Sequence, residues 1–245
     1  MTQGIQLYDT VEAIAAAYER RKAEIDRAAA VADECRVELK EDYATKHKQE
    51  SWREILEKSG AKQWMTTEQR EKVTRTLYDS PKDLPEITVD GLRQWLQDLV
   101  VASPDMLRDL CKEAFDFLTP QKRAWGHDYK SNEDKREIPK SGRVVLCWMC
   151  ESDKWVTTPK LSYRNGEKLH VLDRVFALLA GRPVLEGKSV YALCNAASEA
   201  GETEAITYWG RLKMHKNGNL HIWLTDKKLI RKLCEVAAGA TLKTA

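Results

Sequence analysis

No stretch of about 18 or more apolar residues occurs anywhere in the chain, which excludes a hydrophobic membrane-spanning helix, so no membrane partner is expected. Neither sign of charge prevails: 40 basic residues face 38 acidic ones, a net charge of +2. That balance excludes an acidic, DNA-mimicking surface. It also gives no global pull toward phosphate, so any nucleic-acid contact has to come from a local basic patch. Proline is scarce, at 7 in 245 residues, and 42% of the residues are hydrophobic. These values suit a globular chain of one large or two small domains with a real core. The opening residues MTQGIQLYDTVEAI lack a basic region followed by an apolar run. No secretory leader is therefore expected, and the location expected is cytoplasmic. The six cysteines, at 35, 111, 147, 150, 194 and 234, read as reduced thiols there. The chain also lacks a Gly-rich loop of the kind that holds a methyl-donor cofactor, and it has no Pro-Pro dipeptide. Methylation of a nucleobase is without its cofactor loop and its catalytic loop, and no cofactor is expected.

What is present begins with helices. Over residues 8–40, Val11, Ile14, Tyr18, Ile25, Ala28, Ala32, Cys35 and Leu39 recur at alternating three- and four-residue spacing, and Arg21 alone breaks the seam. This is the pattern of a coiled-coil or long helical hairpin, or of one face of an ordinary bundle. A charged amphipathic helix over 46–60 places Trp52, Ile55 and Leu56 on one side, and Gly60 ends it. MTTEQREKV opens with a capping box in which Thr66 and Gln69 serve each other's amides. SPKDLPE at 80–86 is a break. A helix over TVDGLRQWLQDLVV is followed by a second one, with Ser103 as N-cap and Pro104 at its first position.

From 121 to 142 the chain is polar, charged and punctuated by Pro and Gly, a loop or linker. RVVLCWMC then reads as a strand, and KLHVLDRVFALLAG as a helix closed by Gly181. KSVYALCNAASEAGE is ambiguous, with helix favoured. AITYWGRLKMHKNGNLHIWLTD is the clearest hairpin, and TDKKLIRKLCEVAAGA is a basic helix that faces inward through Leu229, Ile230, Leu233 and Val236. Asn217-Gly218 is the dipeptide that a two-residue type I′ turn prefers, because both positions need positive φ. That turn pairs Lys216 with Asn219, Met214 with His221 and His215 with Leu220. It puts Tyr208, Leu212, Met214, His221 and Trp223 on one face, with His221 as a hydrogen-bonded core residue.

Several chemistries fail on their ligand sets. Cys147 and Cys150 have the spacing of half a zinc knuckle, but no second cysteine pair exists, and in a strand they point to opposite faces. No metal is expected. A ββα metal nuclease needs a general-base His near the end of the first strand, which His215 offers. It also needs a metal ligand on the following helix, which offers no His or Asn. Basic residues do cluster. Lys213, His215, Lys216, Lys227, Lys228, Arg231 and Lys232 surround the hairpin and the last helix, and Lys122, Arg123 and Lys130 lie near Trp125 and Tyr129. Cations neutralise phosphates, and rings stack on unpaired bases.

DYKSN at 128–132, LDRVFALLAGRPV at 172–184 and YWGRLKMHKNGNLHIWLTDKKLIRKL at 208–233 resemble the domain-of-unknown-function 4942 family. MTTEQREKV and ITVDGLRQWLQDL fit its helical portion, so the resemblance covers roughly residues 50–240. Ser131 stands where that family usually has Thr, and Trp223 where it has Phe. The resemblance implies no reaction. It implies an association with phages, plasmids and prophages, and some members carry a fused SAM-dependent DNA methyltransferase domain.

The fold class expected is α+β. A helical region spans 1–120, with a long hairpin over 8–60. A polar linker spans 121–142. A domain with a small antiparallel sheet spans 143–245, with a hairpin over 206–224 and a final helix over 226–238. The function expected is that of a non-enzymatic, DNA-associated accessory protein of a phage or mobile element, in defence or anti-restriction. It would bind DNA through Lys122, Arg123, Trp125, Lys130, Lys213, His215, Lys216, Lys227, Lys228, Arg231 and Lys232, and Asp128, Tyr129, Asn132 and His221 would line a pocket. Two alternatives stay open. One is a protein-interaction module that inhibits or scaffolds a host system through a host or phage protein partner. The other is the metal-dependent nuclease. A homo-oligomer is compatible with each.

Overall fold

The structure is a computed structural model that describes residues 2–34, 43–119, 138–139, 141–151, 158–182 and 189–238. It divides into two units, Met1–Pro104 and Asp105–Ala245.

The first unit is helical: α1 (Thr2–Glu34), α2 (Tyr43–Lys58), the single turn α3 (Ala61–Trp64), α4 (Thr67–Asp79), a 3₁₀ turn at Pro81–Asp83 and the first half of α5 (Val89–Leu118). Local chemistry sets the helix ends. Gly60, at φ +67°, separates α2 from α3 in a conformation costly to any residue with a Cβ. The capping box of α4 forms as expected: Thr66 Oγ1 accepts the Gln69 N–H, and Gln69 Oε1 accepts the Thr66 N–H at 2.9 Å. Ile14 and Tyr18 of α1, Trp52 and Ile55 of α2, Leu77 of α4 and Leu92 and Leu96 of α5 form one core. The expected seam of α1 is used only in part. Ile14 and Tyr18 are buried, Ile25 is half-buried and Ala28 is exposed; the side chains of Val11 and Ala32, and residues Cys35 and Leu39, lie outside the described residues. Arg21, which interrupts the seam, lines a cleft between α1 and α2 with His47, Glu50 and Arg53.

One expectation is corrected here. Residues 89–118 form a single helix, not two, with Pro104 inside it. Proline has no N–H for the carbonyl four residues back. The Ser103 hydroxyl donates to that carbonyl, Val100 O, at 2.8 Å. Ser103 thus repairs the interruption instead of capping a new start. The division into units falls within α5, between Pro104 and Asp105. Leu110, Cys111, Ala114 and Leu118, all on the second half of α5, are fully buried in the core of the second unit.

The second unit holds that half of α5, then β1 (Arg143–Leu146), α6 (Tyr163–Leu179), α7 (Val190–Glu199), β2 (Glu204–Ile206), β3 (Gly210–Met214), β4 (Leu220–Leu224) and α8 (Lys227–Ala237). The strands form one antiparallel sheet in the order β1-β4-β3-β2. Strand alternation gives the sheet two chemically different faces. Val144, Leu146, Leu212, Met214, Leu220, Ile222 and Leu224 point to one face and share a core with Leu169, Leu172 and Phe176 of α6, Val190 and Cys194 of α7 and Leu229 and Leu233 of α8. Burying one such aliphatic side chain is worth about 1.5–3 kcal/mol, so seven of them fix which way the sheet faces.

The hairpin register differs from expectation by one residue. Met214 pairs with Leu220, Lys213 with His221 and Leu212 with Ile222, not Met214 with His221, His215 with Leu220 or Lys216 with Asn219. The loop is Lys216-Asn217-Gly218, closed by His215 N–H to Asn219 O at 2.9 Å and Gly218 N–H to His215 O at 3.0 Å. Only Gly218 takes a positive φ, +86°. This is a turn followed by a glycine bulge, the three-residue loop, and not the two-residue type I′ turn. The physical reason is burial: only this register puts Leu212, Met214, Leu220, Ile222 and Leu224 on one side.

Candidate functional site

The one-residue change of register moves His221 and Trp223 off the core face. They join Arg143 of β1 and Arg211 and Lys213 of β3 on the opposite face of the sheet. His221 as a core residue sharing a face with Leu212 and Met214 is therefore corrected.

Two cross-strand rows organise this face. In the first, Trp223 pairs with Arg143 on one side and Arg211 on the other. The Arg211 guanidinium carbon lies 4.4 Å from the indole centre and that of Arg143 lies 5.7 Å away. A planar cation held against a π face is stabilised there and keeps its N–H edges for other partners. In the second row, His221 lies between Val145 and Lys213, and Lys213 pairs with Glu204 of β2. Arg143 and Arg211 are exposed, and Lys213, His215, His221 and Trp223 are half-buried.

The rings form a continuous ladder. The centres of His215 and His221 are 4.0 Å apart, and those of His221 and Trp223 are 5.7 Å apart. Arg143 Nη2 lies 3.2 Å from His221 Nδ1. Because arginine only donates, this nitrogen of His221 accepts and carries no proton. Burial, then the charges of His215, Arg143 and Lys213, push the His221 imidazole down to about 4. Burial and Lys213 lower His215 as well. Both rings are therefore neutral near pH 7. Glu204 is the one carboxylate paired on this face among the described residues, accepting from Lys213 at 2.9 Å and lying 3.6 Å from Arg211. Those cations hold it below the ordinary carboxylate range. Arg143 has no carboxylate partner among the described residues, so the row stays net positive.

The other expected site residues fall elsewhere. Lys216 is exposed in the loop. Lys227, Lys228, Arg231 and Lys232 occupy the exposed side of α8, whose other side packs on the inner face of the sheet through Leu229 and Leu233. The structure does not bring these four cations onto the face that carries His215 and Lys213. Lys232 instead donates to Leu179 O at the end of α6, at 3.1 Å, and Arg231 lies 3.7 Å from Glu235. Asp226 caps α8, accepting from the amides of Lys228 and Leu229. Lys122, Arg123, Trp125, Asp128, Tyr129, Lys130 and Asn132 lie outside the described residues, as does most of the 121–142 linker.

Cys147 and Cys150 do not sit in one strand. β1 ends at Leu146, the chain turns at Trp148 with φ +61°, and both thiols are buried. Burial pushes Cys150 up to about 11, and its thiol donates to Asn219 O. Among the described residues no group of three or more His, Cys, Asp or Glu side chains is arranged to hold a metal ion, and no helix is long and apolar enough to cross a membrane.

The reading of the sequence alone missed Arg143, Arg211 and Trp223. The aliphatic alternation pointed to them, but the Asn217-Gly218 turn signal is met equally by the other register, so the sequence did not decide between the two. Pairing the two runs by their aliphatic positions, 212 and 214 against 220, 222 and 224, requires a three-residue loop and places every odd-numbered residue of the hairpin outward.

A sequence model of one protein family, described as "Domain of unknown function (DUF4942)", matches residues 45–241. No curated protein and no solved structure matches the chain.

Proposed function

The chain belongs to the domain-of-unknown-function 4942 family, and we propose that it is a DNA-associated accessory protein that holds the sugar–phosphate backbone across the outward face of its sheet. The observation that carries this reading is the row Arg143–Trp223–Arg211, two exposed guanidiniums fixed on either side of one indole. The indole orders both side chains before any ligand arrives, which lowers the entropy lost on binding. Fork-shaped N–H groups match phosphate oxygens. Neighbouring strands are about 4.8 Å apart, so these two cations, two strands apart, stand roughly 10 Å from each other across the sheet and can meet separate phosphates. A single strand is favoured over a duplex because rings and cations interleave on an open sheet. The role is binding without chemical change of the DNA, in keeping with a phage or mobile-element accessory.

The test is a titration of labelled single-stranded DNA, double-stranded DNA and single-stranded RNA at several salt concentrations. Binding to single-stranded DNA that weakens linearly on log–log axes as salt rises supports the reading. No binding at low salt, or binding that ignores salt, overturns it, and a stronger preference for RNA moves the reading to that polymer.

One observation favours a second reading, a protein-interaction module. Val100 and Val101, adjacent on α5, are 67% and 80% exposed and so form a contiguous apolar pair at the surface. Replacing both with Lys leaves DNA binding intact under the first reading.

A further inference from the structure

We infer that the paired imidazoles of His215 and His221 are a proton-coupled part of this face: an anionic strand lying across Arg143 and Arg211 draws protons onto the pair and is held more tightly as pH falls. This rests on the DNA reading above and deepens it.

The geometry carries the argument. The two rings are in contact, with centres 4.0 Å apart and planes 43° to each other. His221 Nδ1 is occupied as an acceptor by Arg143. Adding a proton to His221 in the free protein turns that contact into one between two like charges. The charged groups that act on the pair are mostly positive: Arg143 from β1 and Lys213 from β3, with Arg211 of β3 on the same face. From β2 comes only Glu204, and it is already paired with Lys213 and Arg211. Cys150, beside the loop, stays a neutral thiol. The Nε2 atom of His215 is buried and has no hydrogen-bond partner among the described residues. The pair is thus held neutral by burial first and by the positive charges of Arg143 and Lys213 second, and only the second of these is open to reversal by an anion.

A phosphodiester reverses that second condition. Its negative charge offsets Arg143, and a guanidinium that turns to phosphate releases His221 Nδ1. Solvent supplies the proton, and no bond other than N–H forms. His221 sits at about 4 in the free protein, against an ordinary value of 6.5. A ligand that offsets the charges but not the burial raises His221 part of the way to the ordinary value, so binding at about pH 5.5 is tighter than at about pH 8 by up to about tenfold, the ratio for full restoration.

The experiment is fluorescence anisotropy of the full chain with rhodamine-labelled oligothymidylate across that pH range, at constant ionic strength. It is run for the natural chain and for His221→Asn and the His215→Asn/His221→Asn double variant. The expected result is an affinity of the natural chain that is severalfold tighter at the acid end of the range, a ratio that collapses toward unity in the double variant. The imidazole resonances of the natural chain, followed by NMR with and without oligothymidylate, report the same shift without any variant. A pH-independent affinity, a ratio that survives in the double variant, or imidazole titrations unmoved by oligothymidylate overturns the inference while leaving the DNA reading in place. Absence of binding at every pH overturns both.

Discussion

The Asp173 carboxylate accepts the backbone N–H of Val190 at 2.7 Å, so a residue in the middle of α6 caps the first turn of α7. Ser189 serves the same turn from its N-cap position, accepting from Ala192 at 3.2 Å. Two of the amides that a helix start leaves unpaired are thereby satisfied. Burial nonetheless pushes Asp173 up from 3.8 to about 6, with the Val190 amide opposing the shift. A neutral acceptor therefore suits this position. Asp173→Asn is expected to lose little stability at neutral pH, whereas Asp173→Ala is expected to cost about 1–2 kcal/mol through the lost cap. Urea unfolding checks this, and equal losses in the two variants contradict it.

Asp173 and His221 pull acid stability in opposite directions. Asp173 has a raised folded value, so its contribution is complete below the unfolded value of 3.8 and is lost as pH rises through about 6. His221 has a lowered folded value, so its contribution is complete above 6.5 and is lost as pH falls toward about 4. The two partly cancel between those limits. Asp173→Asn is expected to steepen the fall in urea midpoint on acidification through this window, and adding His221→Asn is expected to flatten it. A Asp173→Asn profile parallel to that of the natural chain sinks the assignment.

Each phosphate contact contributes about 0.7 to the slope of log affinity against log salt for a single strand. Arg143→Gln and Arg211→Gln are each expected to reduce the slope by about that amount. Replacing Lys227, Lys228, Arg231 and Lys232 together with Gln is expected to change the slope little, because they lie on the far side of α8 from the sheet. A large loss in that fourfold variant, with Arg143→Gln silent, transfers the interface to the helix layer.

Gly142 and Gly181 both take positive φ, +69° and +62°, but their surroundings differ. A Cβ on Gly142 would lie 2.4 Å from the Leu224 carbonyl oxygen, where Leu224 N–H also bonds Gly142 O at 2.9 Å; one on Gly181 meets nothing. Gly181→Ala is expected to cost only the backbone term of about 1 kcal/mol. Gly142→Ala adds a clash with backbone and is expected to cost clearly more, about 3 kcal/mol. It is also expected to loosen the end of β1 that carries Arg143. Thermal or urea denaturation of the two variants gives the comparison, and similar losses contradict it.

Much of the architecture was legible because it depends on neighbours in sequence. The α4 capping box, the breaks at Gly60 and Gly181, the Asp226 cap of α8 and the inward stripe of Leu229, Leu233 and Val236 all rest on residues within a few positions of one another. Pro104 misled because the hydroxyl that compensates for it, on Ser103, is the same group that would cap a new helix. Periodicity alone does not choose between those two uses.

The sequence by itself determined that a turn lies at Lys216–Asn219, that two strands flank it and that a basic amphipathic helix follows. It did not determine the register, because a two-residue and a three-residue loop both use Asn217-Gly218 acceptably. That choice was settled by the combined burial of five aliphatic side chains from two strands against three helices, and a register step of one residue exchanges the faces of a strand. Whether Trp223 and His221 belonged to the core or met solvent between Arg143 and Arg211 was therefore a tertiary decision, and the candidate site exists only because of it.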